Sequence, residues 1–123
     1  MWETKKYEIQ IIQGQTFNEA LLFEEGDSPG VPLDISVYTG ALSIKDESNN
    51  KLGEIHIDMT EATSGRIEMK LSDVETMALP VGTLYYDLAL KHSVTGEVEK
   101  PIMGRVYVYK GITEPTDFSG GGI

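Results

Sequence analysis

Two runs of alternating residues near the end of the chain, 82–91 and 102–109, constrain its fold most strongly. In the first run, four apolar residues alternate with more polar ones: Leu84, Tyr86, Leu88 and Leu90. Successive side chains of a β-strand point to opposite faces, so this period of two predicts a strand with one face in the core. The second run repeats the pattern with Ile102, Val106 and Val108. Because Gly96 between them can adopt a positive φ in a turn, the two runs predict a central antiparallel hairpin.

The opposite face of the predicted hairpin carries candidate binding residues. We expect three cross-strand pairs on it: Asp87 with Arg105, Tyr85 with Tyr107, and Thr83 with Tyr109. Tyrosine and arginine are enriched at protein interfaces, so this face is a candidate contact surface. Aromatic residues also favour strands for reasons unrelated to binding, and the pattern is equally compatible with a solvent-exposed face.

The rest of the chain continues the alternation in short segments separated by turn residues. Five further segments predict strands: 7–12, 17–23, 41–45, 55–59 and 67–71. The first two are compatible with one edge strand bent at Gly14, and the glycines and prolines of 24–32 predict a loop. Strands at spacings of about 8–12 residues predict an all-β, immunoglobulin-like antiparallel β-sandwich of about seven strands. The periodicity leaves a jelly roll or a small barrel open.

One short helical turn interrupts the predicted strands. Ser72 and Glu75 have the spacing of a capping box, in which each side chain binds the backbone N–H of the other residue. Pro80 and Gly82 should end the turn soon after Leu79, which we expect to cover one end of the core.

The chain divides into three predicted parts: an N-terminal arm at 1–6, the sandwich at 7–113, and a flexible C-terminal arm at 114–123. Trp2 in the first arm either folds back onto the domain or docks on a neighbouring protein. Phe118 is the large apolar residue of the second arm. We therefore include both aromatic residues among the candidate contacts.

Composition argues against several classes of partner. The 123 residues include 20 acidic and 10 basic side chains, for a net charge of -10, which would repel nucleic acid and anionic membranes. With no cysteine, neither a disulfide nor a thiolate zinc site can form. Since no secretion signal, lipidation motif or long apolar run appears, we expect the chain to fold in the cytoplasm where it is made.

Catalytic and metal-binding motifs are missing from the sequence. It contains no Walker loop, GxSxG elbow or HExxH helix, and the acids of 24–32 lack the spacing of an EF-hand loop. Asp34 is expected to brace that loop, and His56 to lie in solvent. We expect no cofactor, no metal and no enzymatic activity. A triad or carboxylate pair assembled from distant strands is the remaining route to a hydrolase.

The order of several motifs resembles a known family. The motifs are Ile9-Gln10-Ile11, Gly14-Gln15-Thr16, Pro32-Leu33-Asp34-Ile35, the helical turn before Gly82, Tyr86-Asp87-Leu88 and Gly111-Ile112-Thr113. Together, residues 7–113 resemble the N-terminal domain of tailed-phage baseplate upper proteins, an immunoglobulin-like sandwich that attaches receptor-binding fibres to the virion. The resemblance implies a structural adaptor assembled in the host bacterial cytoplasm.

The partners implied by this resemblance are other virion proteins of the tail, baseplate, neck, capsid or fibre, together with copies of the same chain. The candidate contact residues are Trp2, Tyr85, Asp87, Arg105, Tyr107, Tyr109 and Phe118. An alternative is a carbohydrate-binding module of the kind found in adhesins, which requires exposed aromatic residues along a groove.

Overall fold

Strands make up most of the structure. The computed structural model describes residues 4–26 and 28–118. Its strands are β1 (Lys5–Lys6), β2 (Ile9–Ile12), β3 (Phe17–Leu22), β4 (Glu24–Glu25), β5 (Ser28–Pro32), β6 (Tyr38–Lys45), β7 (Lys51–Asp58), β8 (Arg66–Leu71), β9 (Gly82–His92) and β10 (Val98–Tyr109). Its helices are α1 (Asp73–Met77) and two 3-10 helices at Ala62–Ser64 and Pro115–Phe118. The prediction of an all-β domain is confirmed.

Eight of the strands form a single curled sheet. Its order is β1, β10, β9, β6, β7, β8 and β3, and β2 also pairs with β10. Strand β7 connects β6 and the strands beyond it to β8 and β3, because its first part pairs with β6 and residues 56–58 pair with β8. Strands β2 and β3, considered as one bent strand in the sequence, are separate strands on opposite borders of the sheet.

A small hairpin occupies most of the segment that the sequence predicts as a loop. Strands β4 and β5 pair through Glu24 with Pro32 and Glu25 with Ser28, so the prediction of a loop over 24–32 is wrong. Prolines did not prevent pairing, since a two-stranded sheet consists only of edge strands and these tolerate residues without an N–H.

The first two strands pair with the last strand in parallel, which an antiparallel sandwich does not include. Lys5 lies beside Ile102 and Ile9 beside Val106. Lys5–Lys6 falls in the predicted N-terminal arm, yet it forms a strand because backbone hydrogen bonds to β10 need no apolar side chains. The absence of a side chain at Gly104 lets the carbonyl of Tyr7 approach β10 closely.

The core lies inside the curl of the sheet. All seven inward positions predicted in the hairpin are buried: Leu84, Tyr86, Leu88, Leu90, Ile102, Val106 and Val108. Of the alternating apolar residues in the strands predicted at 7–12, 55–59 and 67–71, six are buried: Ile9, Ile11, Ile55, Ile67, Met69 and Leu71. Ile57 and Met59 are partly buried, and Tyr7 is 36% exposed. The period of two therefore identified the core face of these strands correctly.

The predicted capping box is present at the start of α1. Ser72 Oγ accepts a hydrogen bond from Glu75 N at 3.1 Å, and Glu75 Oε1 accepts one from Ser72 N at 2.9 Å. Leu79, just beyond the helix, is buried as expected.

A junction of hydrogen bonds joins three segments that are distant in sequence. The Gln13 side chain donates to Leu79 O at 2.7 Å and accepts from Gly111 N at 3.2 Å. The Gln13 backbone N–H donates to Tyr109 O at 3.0 Å. Gln13 thus ties the end of β2 to the segment after α1 and to the segment after β10.

Thr76 of α1 supplies the other half of this junction. The side chain is fully buried, and its Oγ1 accepts a hydrogen bond from Gly14 N at 3.0 Å. The same hydroxyl lies 3.0 Å from the carbonyl oxygens of Gln15 and Asp73, to either of which it can donate. Gly14 turns the chain here with a φ of 82°.

The turn after β7 makes stability depend on acidity. Hydrogen bonds from Thr60 and from Lys70, whose Nζ lies 3.1 Å from Asp58 Oδ2, lower the pKa of Asp58 to about 2. Since an unfolded aspartate has a pKa of about 3.9, this carboxylate stabilises the fold above that pH and loses its contribution as pH falls towards about 2.

We expect Asp58→Asn to lower the melting temperature at pH 7. Between about pH 4 and about pH 2, the melting temperature of the variant should fall less than that of the wild type. Thermal unfolding of both proteins across this range measures the effect. Glu97→Gln is a suitable control because the Glu97 side chain makes no bond among the described residues. Parallel stability curves for the wild type and Asp58→Asn would contradict the expectation.

Candidate protein-interaction face

The two long strands pair two residues away from the predicted register. Observed pairs are Tyr85 with Arg105, Asp87 with Met103, and Thr83 with Tyr107. The expected pairs of Asp87 with Arg105, Tyr85 with Tyr107, and Thr83 with Tyr109 are therefore wrong. His92 N donates to Glu97 O at 2.8 Å, so the turn is shorter than predicted, and a bulge between Glu99 and Ile102 sets the final register.

The predicted residues nevertheless share the outer face of β9 and β10. Tyr85 and Tyr107 are half-buried, whereas Arg105 and Tyr109 are exposed. Tyr107 OH donates to Glu8 Oε2 at 2.6 Å, which fixes the ring against the segment before β2. The Tyr107 hydroxyl raises the pKa of Arg105 most, followed by Tyr85, which lies opposite Arg105 in the register.

Two apolar side chains extend this surface. Met103 lies beside Arg105 in the alternation of β10 and is 47% exposed. Ile12 of β2 lies beside Tyr109 in the parallel register and is 44% exposed. Sequence reasoning missed both. The alternation of β10 could have revealed Met103, because it is two residues from Arg105 and so points to the same face. Ile12 joins the face only through the parallel pairing of β2 with β10. We call this surface the tyrosine face: Ile12, Tyr85, Met103, Arg105, Tyr107 and Tyr109.

Asp87 lies beside the tyrosine face, in a groove across β6, β9 and β10. Its carboxylate binds Lys100 Nζ at 2.9 Å instead of Arg105. The groove has a volume of about 610 Å³ and is lined by Ser43, Lys45, Asp46, Glu47, Asn49, Tyr85, Tyr86, Asp87, Lys100 and Met103. The tyrosine face and the groove meet at Tyr85 and Met103.

The two terminal candidates are not on these strands. Trp2 lies outside the described residues, as do residues 119–123 of the predicted C-terminal arm. Phe118 is 75% exposed at the end of the 3-10 helix Pro115–Phe118. These four residues belong to the predicted C-terminal arm, and Glu114 N donates to Asp117 Oδ2 at 2.7 Å across their turn. The flexibility of the arm stays a prediction.

The other candidate polar residues have structural partners. Asp34 Oδ1 accepts from Ser36 N at 2.9 Å, which confirms that Asp34 braces its loop. His56 is exposed, as expected, and its Nε2 lies 2.5 Å from Glu75 Oε2. Across residues 4–26 and 28–118, no group of three or more acidic or histidine side chains is placed to hold a metal ion. Over the same ranges, no helix has the length and apolar character needed to cross a membrane.

Comparison with known proteins bears on the fold. No protein-family model matches the sequence, and no curated protein shows significant similarity to it. The N-terminal domain of ORF48 from phage TP901-1 is similar in structure, with a TM-score of 0.50 and 12% identity over 87% of this chain and 95% of that chain. CopC from Methylosinus trichosporium OB3b gives a TM-score of 0.49 at 11% identity, covering 86% of this chain and 87% of that chain.

The N-terminal Ig1-2 module of the Drosophila receptor protein tyrosine phosphatase DLAR gives a TM-score of 0.44 at 9% identity, over 88% of this chain and 47% of that chain. At these identities, similarity concerns the fold alone. The predicted all-β class is confirmed by the strands of the structure, and the likeness to the ORF48 domain is a likeness of fold.

Proposed function

We propose that this domain is a non-enzymatic adaptor of a tailed-phage virion, attaching a fibre or a neighbouring component through contacts on its tyrosine face. The observation that carries the proposal is the row of Arg105, Tyr107 and Tyr109 on the outer face of β10, continued by the exposed apolar side chains of Met103 and Ile12. Large aromatic and guanidinium groups that meet in one patch are the residues that contribute most to protein-protein binding energy.

The tyrosine face is supported by the strands on both sides of β10. It rests on β10, which pairs with β9 on one side and with β1 and β2 on the other. The 2.6 Å bond from Tyr107 to Glu8 holds one ring in place. Because rigid aromatic side chains lose little conformational entropy on binding, such a face can form a stable contact over a small area.

The electrostatics of the domain support a role without catalysis. The carboxylates with lowered pKa values, which include Asp34, Asp46, Asp58 and Glu75, accept hydrogen bonds in turns or at the helix cap. Shifted groups at an active site instead converge on a shared cavity. Of these four carboxylates Asp46 lines the groove, and its pKa is lowered by hydrogen bonds from Asn50 and Ser48 of its own turn.

The junction supports the phage assignment in another way. The resemblance to baseplate upper proteins includes the motifs that begin at Gly14 and at Gly111, which are far apart in sequence. In the structure a Cβ on Gly14 would lie 2.8 Å from Thr113 O, so the two motifs pack together. The two motifs therefore belong to one packing contact of this fold, between the turn at Gly14 and the segment after β10.

The proposal is tested in particles purified from a phage that carries the gene. We expect the combined variant Arg105→Glu and Tyr109→Ala to lose incorporation, because two central contacts should cost about tenfold or more in affinity. Leu22→Ala is a matched control, since Leu22 is 69% exposed on β3, away from the face. Quantitative mass spectrometry of the particles and melting temperatures of the purified variants separate binding from folding. Equal incorporation of the double variant and wild type, or particles without the protein, would reject the proposal.

Removal of the residues after Thr113 should leave the domain folded and weaken incorporation. The helix Pro115–Phe118 contains no buried residue, so its loss should change the melting temperature little. Phe118, 75% exposed, would be removed as a candidate contact. The truncated and full-length proteins are compared by circular dichroism and in the same particle assay. Identical incorporation would show that this segment makes no contact that matters.

A further inference from the structure

We infer that the groove across β6, β9 and β10 binds a neutral saccharide, a ligand beyond the protein contacts proposed for the tyrosine face. Its volume of about 610 Å³ lies within the range of about 300–1,000 Å³ that is usual for small-ligand sites. Side chains from three neighbouring strands and one turn converge on it. A groove of this size accommodates a short oligosaccharide.

The groove offers a donor and an acceptor side by side. Asp87 and Lys100 form an ion pair at 2.9 Å, and both side chains are partly exposed, at 37% and 56%. Each keeps further hydrogen-bonding capacity, because a carboxylate accepts several bonds and an ammonium donates three. A pair of adjacent sugar hydroxyls, each able to donate and accept, matches this arrangement.

The rim of the groove is held in place by its own hydrogen bonds. Asp46 Oδ1 accepts from Ser48 N and from Asn50 N, each at 2.9 Å. Asn49 adopts a φ of 66° in this turn. Among the described residues, no side chain binds those of Ser43, Lys45 or Asn49, although all three line the groove. The turn therefore fixes the backbone at one side of the groove and leaves polar side chains there available to a ligand.

The charges of the groove favour a neutral ligand. Lys45 and Lys100 face Asp46, Glu47 and Asp87, so neither sign dominates. A phosphate or sulfate would require a surplus of cations, and a bound cation would require carboxylates without lysines nearby. Uncharged hydroxyl groups suit alternating donors and acceptors.

Tyr85 supplies the apolar surface that a sugar ring needs. Its side chain is half-buried along the groove, in the cross-strand position beside Lys45. The ring is amphipathic and can contact the C–H groups of a pyranose while the polar groups bind its hydroxyls. One aromatic ring, one ion pair and several uncommitted polar side chains therefore line the same groove.

The experiment is a titration of the isotope-labelled protein with maltotriose, chitotriose and lactose, followed by NMR. We expect at least one of them to shift the groove resonances with a dissociation constant of about 1 mM. Asn49→Gly, which keeps the turn conformation, and Ser43→Ala should each weaken this binding, and Tyr85→Ala should weaken it about tenfold. Leu22→Ala, on β3 and outside the groove, should leave the affinity unchanged.

The inference is overturned if none of the three saccharides shifts the groove resonances at about 20 mM, or if the groove variants bind as tightly as wild type. Binding confined to 3'-sialyllactose or inorganic phosphate would also overturn it, since both are anionic. Asn49→Gly should not change incorporation into particles. A failure of the saccharide site is therefore distinguishable from a failure of the adaptor role.

Discussion

Replacing Gly111 with alanine should lower the free energy of unfolding by about 2–3 kcal/mol. A Cβ at this position would overlap the carbonyl oxygen of Gln13. Neither side can move easily, because Gln13 N binds Tyr109 O at 3.0 Å and the Gln13 side chain binds Leu79 O at 2.7 Å. Urea unfolding of wild type and Gly111→Ala measures the difference.

The control for this experiment is Gly26→Ala. An added Cβ at Gly26 meets no other atom within 4 Å, and the residue lies in the turn after β4. We expect a change below about 0.5 kcal/mol for this surface site. If Gly111→Ala were as stable as Gly26→Ala, the close packing of the junction around Gln13 would be disproved.

Replacing Thr76 with valine should cost about 2–3 kcal/mol. The substitution keeps the shape of the side chain but removes the hydroxyl that accepts from Gly14 N at 3.0 Å and can donate to Gln15 O. Two backbone groups then lose their partner in a site where Thr76 itself is fully buried. Thermal and urea unfolding give the size of the effect.

Thr76→Ser separates the hydroxyl from the methyl group. Serine retains the hydrogen bonds and loses one buried methyl, so its cost should be about 1 kcal/mol. The two variants should therefore differ clearly. A larger loss for Thr76→Ser than for Thr76→Val would show that packing, and not the hydrogen bonds to the turn at Gly14, determines the stability of this site.

Local features of the fold could be predicted from the sequence. The alternation of residues such as Leu88 and Val106 identified the core face, because the side-chain period of a strand is independent of its neighbours. Ser72 and Glu75 identified the helix start, because a capping box involves only residues three apart.

Features that depend on distant segments could not be predicted in the same way. The alternation fixed which side of the sheet Tyr85 and Arg105 occupy. Their cross-strand partners differ from the prediction because the shorter turn and the bulge together shift the register by two residues. The parallel pairing that brings Ile12 beside Tyr109 has no local sequence pattern. The hydrogen bonds of Gln13 likewise join residues 66 and 98 positions away, and an isolated glutamine gives no sign of them.

The parallel pairing of β2 with β10 bears on how the chain is made. Ile9 and Ile11, which end fully or almost fully buried, belong to strand β2, which is synthesised before the other large strands of this domain. Their sheet partner spans Val98–Tyr109 and is translated last among the strands. A nascent chain stalled before β10 therefore cannot complete this sheet. The domain should acquire its native form only once β10 has been synthesised, with the unpaired β2 exposed to chaperones until then.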